Sequence, residues 1–69
     1  MQITVNGKPA AASDNITINE LLKELKVETP EYVSVELNGD ILDREAFAVT
    51  TVSDGDVVEF LYYMGGGAE

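Results

Sequence analysis

The sequence predicts an α+β fold: one mixed sheet of four to five strands with a single helix packed across one face. Three observations carry this. Tyr32-Val33-Ser34-Val35-Glu36-Leu37 alternates apolar and polar residues with the period of a half-buried strand. Ile18, Leu21, Leu22 and Leu25 fall instead at the i, i+3, i+4, i+7 spacing of a helix with one apolar face. The helical pattern lies between strand-like segments, and a strand following a long helical crossover tends to pair parallel with an earlier one.

The elements follow in order. Ile3 and Val5 alternate with Gln2, Thr4 and Asn6, a half-buried strand, and Asn6-Gly7 supplies the two positive-φ residues of a type I′ hairpin. Lys8 to Ala12 is the return, weakened by Pro9 and three alanines. Proline suits an edge strand, where its missing N–H leaves no ladder bond unmade. Thr17-Ile18-Asn19-Glu20 fits a capping box with Thr17 as N-cap, and Ile16 and Leu21 occupy the two positions of a hydrophobic staple. Glu20, Lys23, Glu24 and Lys26 face water. The helix is expected to stop near Val27, because Thr29-Pro30 cannot easily continue it. So short a helix is unstable alone and needs a sheet to lie on. Asn38-Gly39 turns the second alternating strand into a short return at Ile41-Leu42. Asp43 to Phe47 reads as one helical turn with Phe47 as an apolar plug. Val49 and Val52 lead through the Asp54-Gly55-Asp56 turn to Val57–Met64, the most apolar strand, expected at the sheet centre beside the first. This is the β-grasp arrangement, with residues 1–64 as the domain and residues 65–69 as a flexible C-terminal tail.

With 69 residues the chain is near the lower limit for a self-supporting core. It has no cysteine and no histidine, so disulfides, thiolate metal sites and the commonest general base are all missing. That composition argues against an enzyme. Thirteen acids face four bases, for a net charge of -9. Such a surface repels nucleic acid and anionic membranes and favours protein partners with basic grooves. No run approaches the roughly 20 apolar residues of a membrane span, and no signal peptide is visible, so the expected location is the cytoplasm. The groupings Asp40/Asp43/Glu45 and Asp54/Asp56 lack calcium-loop spacing and read as solvated surface. A structural salt bridge is the expected role of Arg44.

Gly65-Gly66-Gly67-Ala68-Glu69 follows directly on the apolar strand. Three glycines without side chains can be threaded through a tunnel too narrow for any Cβ, bringing a terminal carboxylate to another protein's active site. The plainer reading of the same residues is a frayed terminus or a cloning scar. Tyr62 and Tyr63 point to opposite faces of the strand. Leu61 and Tyr63 share one face and are candidates for a partner-docking patch, against ordinary strand composition.

Four segments together resemble the ThiS-type sulfur carriers, ubiquitin-like β-grasp proteins. They are Ile3-Thr4-Val5-Asn6-Gly7; Leu21-Leu22 with Leu25; Val35-Glu36-Leu37-Asn38-Gly39 with Arg44; and Asp54-Gly55-Asp56-Val57-Val58-Glu59-Phe60 ahead of the glycines. The resemblance implies a protein co-substrate rather than an enzyme. The family's terminal glycine carboxylate is adenylated by an E1-like (ThiF/MoeB-like) enzyme using ATP and Mg²⁺. Sulfur from a donor protein then displaces AMP, and the thiocarboxylate is passed on, usually by way of thiazole synthase to the thiazole of thiamine. Carried over to this chain, the diglycine is Gly66-Gly67, the adenylation and thiocarboxylate site is Gly67, and Gly65, Gly66 and Gly67 thread into the partner. No permanently bound cofactor, metal or catalytic residue is implied. The chain departs from the family in continuing through Ala68-Glu69. Related carriers with such tails are trimmed by a JAMM-type zinc metalloprotease, and several serve cysteine or homocysteine formation. A ubiquitin-like modifier ending in an isopeptide bond shares the activation step and stays open as an alternative.

Overall fold

The computed structural model of the chain describes residues 1–28 and 30–62. Its strands are β1 (Gln2–Val5), β2 (Lys8–Ala11), β3 (Val33–Leu37), β4 (Asp40–Ile41) and β5 (Val57–Tyr62), with one helix, α1 (Ile18–Glu24). They form one five-stranded sheet in the order β2-β1-β5-β3-β4. β5 is central, parallel to β1 and antiparallel to β3. Both Asn-Gly pairs adopt the expected positive φ, Asn6 at 50° with Gly7 at 82° and Asn38 at 53° with Gly39 at 91°. Pro9 lies on the edge strand opposite Thr4. One sheet face carries Ile3, Val33, Val35, Val58 and Phe60, and the helix buries Ile18, Leu21 and Leu22 against this core. Phe47, from the 3-10 turn Arg44–Ala48, fills the core as expected, whereas Val49 is exposed.

The start of α1 follows the capping-box expectation. The Glu20 N–H donates to Thr17 Oγ1, and the Thr17 N–H donates to Glu20 Oε1 at 2.9 Å. The bond from the Thr17 backbone, with the Thr17 hydroxyl and Lys23 adding to it, holds the Glu20 carboxyl below its ordinary range, against a small opposing effect of desolvation.

Its end does not follow the expectation. The helix stops at Glu24, before Thr29-Pro30 can act, because Lys26 turns left-handed at φ 56°. The Val27 N–H then reaches Leu22 O at 3.0 Å and the Lys26 N–H reaches Lys23 O at 3.1 Å, the paired bonds of a Schellman motif. Arg44 also departs from expectation, bonding two carbonyls instead of a carboxylate. β4 is only two residues long, so β3 runs beyond it. The Leu42 N–H takes Val35 O, and Arg44 continues the ladder, with Nη2 donating to Val33 O at 2.7 Å and Nη1 to Pro30 O at 3.1 Å. The guanidinium also lies 5.1 Å from the Phe47 ring centroid, within cation–π range.

Candidate functional site

The strand leading to the glycines is held along both edges. β3 pairs β5 over its described length, from Leu37 opposite Val58 to Val33 opposite Tyr62. β1 is shorter and its printed pairing ends with Val5 opposite Val58. There Asn6 takes over: its N–H donates to Val58 O at 3.0 Å, and its Oδ1 accepts the Phe60 N–H at 2.8 Å. Asn38 does the same where β3 ends. Its Oδ1 accepts the Val57 N–H at 2.9 Å, its N–H donates to Val57 O, and its Nδ2 donates to Asp56 Oδ1 at 3.1 Å. Each Asn-Gly thus makes a turn and also clamps the central strand through its side chain. The turn role is readable from the sequence. The clamps are not, because they join residues 19 and 54 positions apart.

The sheet face opposite α1 is open. β5 turns Val57, Glu59 and Leu61 toward it, and Leu61 stands half-buried opposite Ser34. Val57 and Ile41 are large exposed apolar residues on the same rows. Between them Glu36 and Glu59 are directly opposed across β3 and β5, two like charges where a sheet ordinarily avoids them. Ile41 is the next partner of Glu36. No lysine or arginine shares these rows. Lys8 pairs with Val5 on the helix-side rows, Lys23 and Lys26 belong to α1 and its cap, and Arg44 is committed to carbonyls. The face is therefore apolar and acidic together, and complements a surface that is apolar and basic. Strand alternation alone would place both glutamates outward; their opposition needed the register.

Leu61 is thus placed on an open face. Tyr62 keeps the parity of Val58 and Phe60 and is 44% exposed at the sheet end. Tyr63, Gly65, Gly66 and Gly67 lie outside the described residues, as does the boundary set after residue 64. Among the described residues no group of three potential ligands could hold a metal ion, and no helix is long and apolar enough to cross a membrane.

The ThiS family model matches residues 3–67, nearly the whole chain. The chain belongs to the ThiS family. Among curated relatives, the sulfur carrier protein ThiS of Bacillus subtilis is 33% identical over 66 residues, covering 94% of this chain and 98% of that protein. A thiazole synthase of Paramagnetospirillum magneticum is 35% identical over 69 residues, all of this chain. The chain spans only about a fifth of the length of that synthase and of a second one, from Magnetococcus marinus. A crystal structure of the thiamine biosynthesis protein ThiS from Geobacter metallireducens superposes with a TM-score of 0.88 at 59% identity, covering 97% of this chain and all of that one. The ThiS membership and this superposition make the fold the ubiquitin-like β-grasp, as the element order predicts.

Proposed function

We propose that this protein is a cytoplasmic sulfur carrier of thiamine biosynthesis in which the Gly67 carboxyl group bears the sulfur. The observation that carries the reading is the extent of the ThiS match, which runs to residue 67 and leaves out the last two. The chemistry suits a chain without cysteine, since the sulfur rides on a terminal carbonyl carbon. A Gly67 carboxylate oxygen attacks the α-phosphorus of ATP on an E1-like enzyme that supplies Mg²⁺, and pyrophosphate leaves. A sulfide equivalent from a donor protein then attacks the acyl carbon, AMP leaves, and a thiocarboxylate remains. The acceptor in this reading is thiazole synthase, supported by relatives of that name that contain a segment similar to the whole chain.

The open sheet face at Leu61, continued by Tyr63, serves as the dock for the activating enzyme, and the acidic surface steers the encounter. Ala68-Glu69 blocks the reaction until a JAMM-type metalloprotease removes it, because the Gly67 carboxyl is otherwise held in an amide. The test compares the 69-residue chain with a form ending at Gly67. The shorter form should support ATP–pyrophosphate exchange on its activating enzyme and gain the mass of a thiocarboxylate, and the longer form should do neither. Equal reaction of the untrimmed chain, with both residues still in the product mass, would refute the Gly67 assignment.

A further inference from the structure

The four cations are unevenly placed, and two of them meet at one groove. Where α1 ends, Asn19, Leu22, Lys23, Lys26, Val27 and Pro30 enclose a cleft of about 300 Å³. The Schellman cap builds it: left-handed Lys26 folds Val27 back so that its N–H reaches Leu22 O, bringing two apolar side chains to the floor and two ammonium groups to the rim. Pro30 forms the far wall and opens the 3-10 turn Pro30–Tyr32 that leads into Val33, directly opposite Tyr62 at the described end of β5. The groove therefore lies on the helix side, three residues along the chain from the partner of Tyr62. Its electrostatic character is the reverse of the open sheet face, which carries Glu36 and Glu59 and no cation.

We infer that this groove is a second docking site, which receives a partner segment presenting an apolar side chain flanked by carboxylates. On a chain of net charge -9, an acidic segment is repelled by most of the surface. Lys23 and Lys26 offer it complementary charge, and Leu22, Val27 and Pro30 offer a contact that excludes water. This inference rests on the proposed carrier function and assigns the groove to the sulfur-accepting enzyme. The activating enzyme keeps the acidic sheet face. A carrier that visits two enzymes in turn is then gripped on different sides by surfaces of opposite charge.

The test is the double variant K23E/K26E, with K23Q/K26Q as the graded form and circular dichroism to establish that both are folded. Binding to thiazole synthase is measured by calorimetry on the whole chain. ATP–pyrophosphate exchange on the activating enzyme is measured on the forms ending at Gly67. The Kd for thiazole synthase should rise about tenfold or more in the glutamate variant and by less in the glutamine variant, with exchange changed by less than about twofold. Unchanged synthase binding, or equal losses with both enzymes, would overturn the assignment of the groove. Failure of the unsubstituted Gly67 form to support exchange would instead sink the carrier reading itself.

Discussion

Asn6 joins a turn requirement to a clamp on the central strand, and three substitutions separate the two. Its φ of 50° is a conformation that costs a residue with a Cβ roughly 1–2 kcal/mol, with Asn and Asp tolerating it best. Its Oδ1 accepts the N–H of Phe60, a residue only 8% exposed, and a buried donor left without a partner costs about 1–3 kcal/mol. Asn6→Gly keeps the turn and loses the acceptor, so it should cost about 1–3 kcal/mol. Asn6→Ala loses both and should cost about 2–5 kcal/mol. Asn6→Asp keeps both features and should stay within about 1 kcal/mol of the parent. A domain of this size has a few kcal/mol in total, so the alanine variant should be close to unfolding at room temperature. Urea unfolding followed by circular dichroism gives the stabilities, and amide exchange at Phe60 reports the clamp directly. A glycine variant as stable as the parent would show that the clamp contributes nothing. An aspartate variant as damaged as alanine would show that neither feature explains the site.

Three further outcomes follow from the same structure. Because the Glu20 carboxyl titrates below its ordinary range when folded, its contribution is present above the unfolded pKa and is lost as pH falls through the folded one; Glu20→Gln should flatten the loss of stability measured between about pH 5 and pH 3. Lys26→Gly should raise the unfolding midpoint by the equivalent of about 0.5–1 kcal/mol, since glycine takes the left-handed cap position without a Cβ penalty and loses only part of that gain to chain entropy. Glu36→Gln should stabilise the sheet by a few tenths of a kcal/mol in low salt and by less in high salt, because it removes one of two directly opposed charges; equal stability of parent and variant at both ionic strengths would show that the pair does not interact.

What could be read from the sequence was local. Thr17 and Glu20 lie three residues apart and define the helix start whatever surrounds them, and Asn6-Gly7 and Asn38-Gly39 fix their turns by backbone preference alone. The central place of Val57–Tyr62 followed from its apolar character and the order of elements. The misjudged features depend on distant partners. Lysine is an unusual helix terminator, and Lys26 adopts that role where Val27 folds back toward Leu22. Arg44 found carbonyls because β4 proved too short to pair all of β3. At the candidate site, the outward parity of Leu61 and Glu59 was legible in the alternation. The opposition of Glu36 and Glu59 was a matter of register, which alternation does not encode.

The parallel pairing of β1 with β5 also sets the order in which the molecule can come into being. The first strand waits for a neighbour more than fifty positions later, Thr4 meeting Val57, and β3 has no other neighbour toward the sheet centre. A nascent chain lacking β5 has two separate hairpins and a helix with no continuous surface to cover. Contacts so distant in sequence close slowly, after local turns have formed. The fold is therefore a record of completed synthesis: a molecule displaying the assembled sheet has been translated at least through the strand that leads to its glycines.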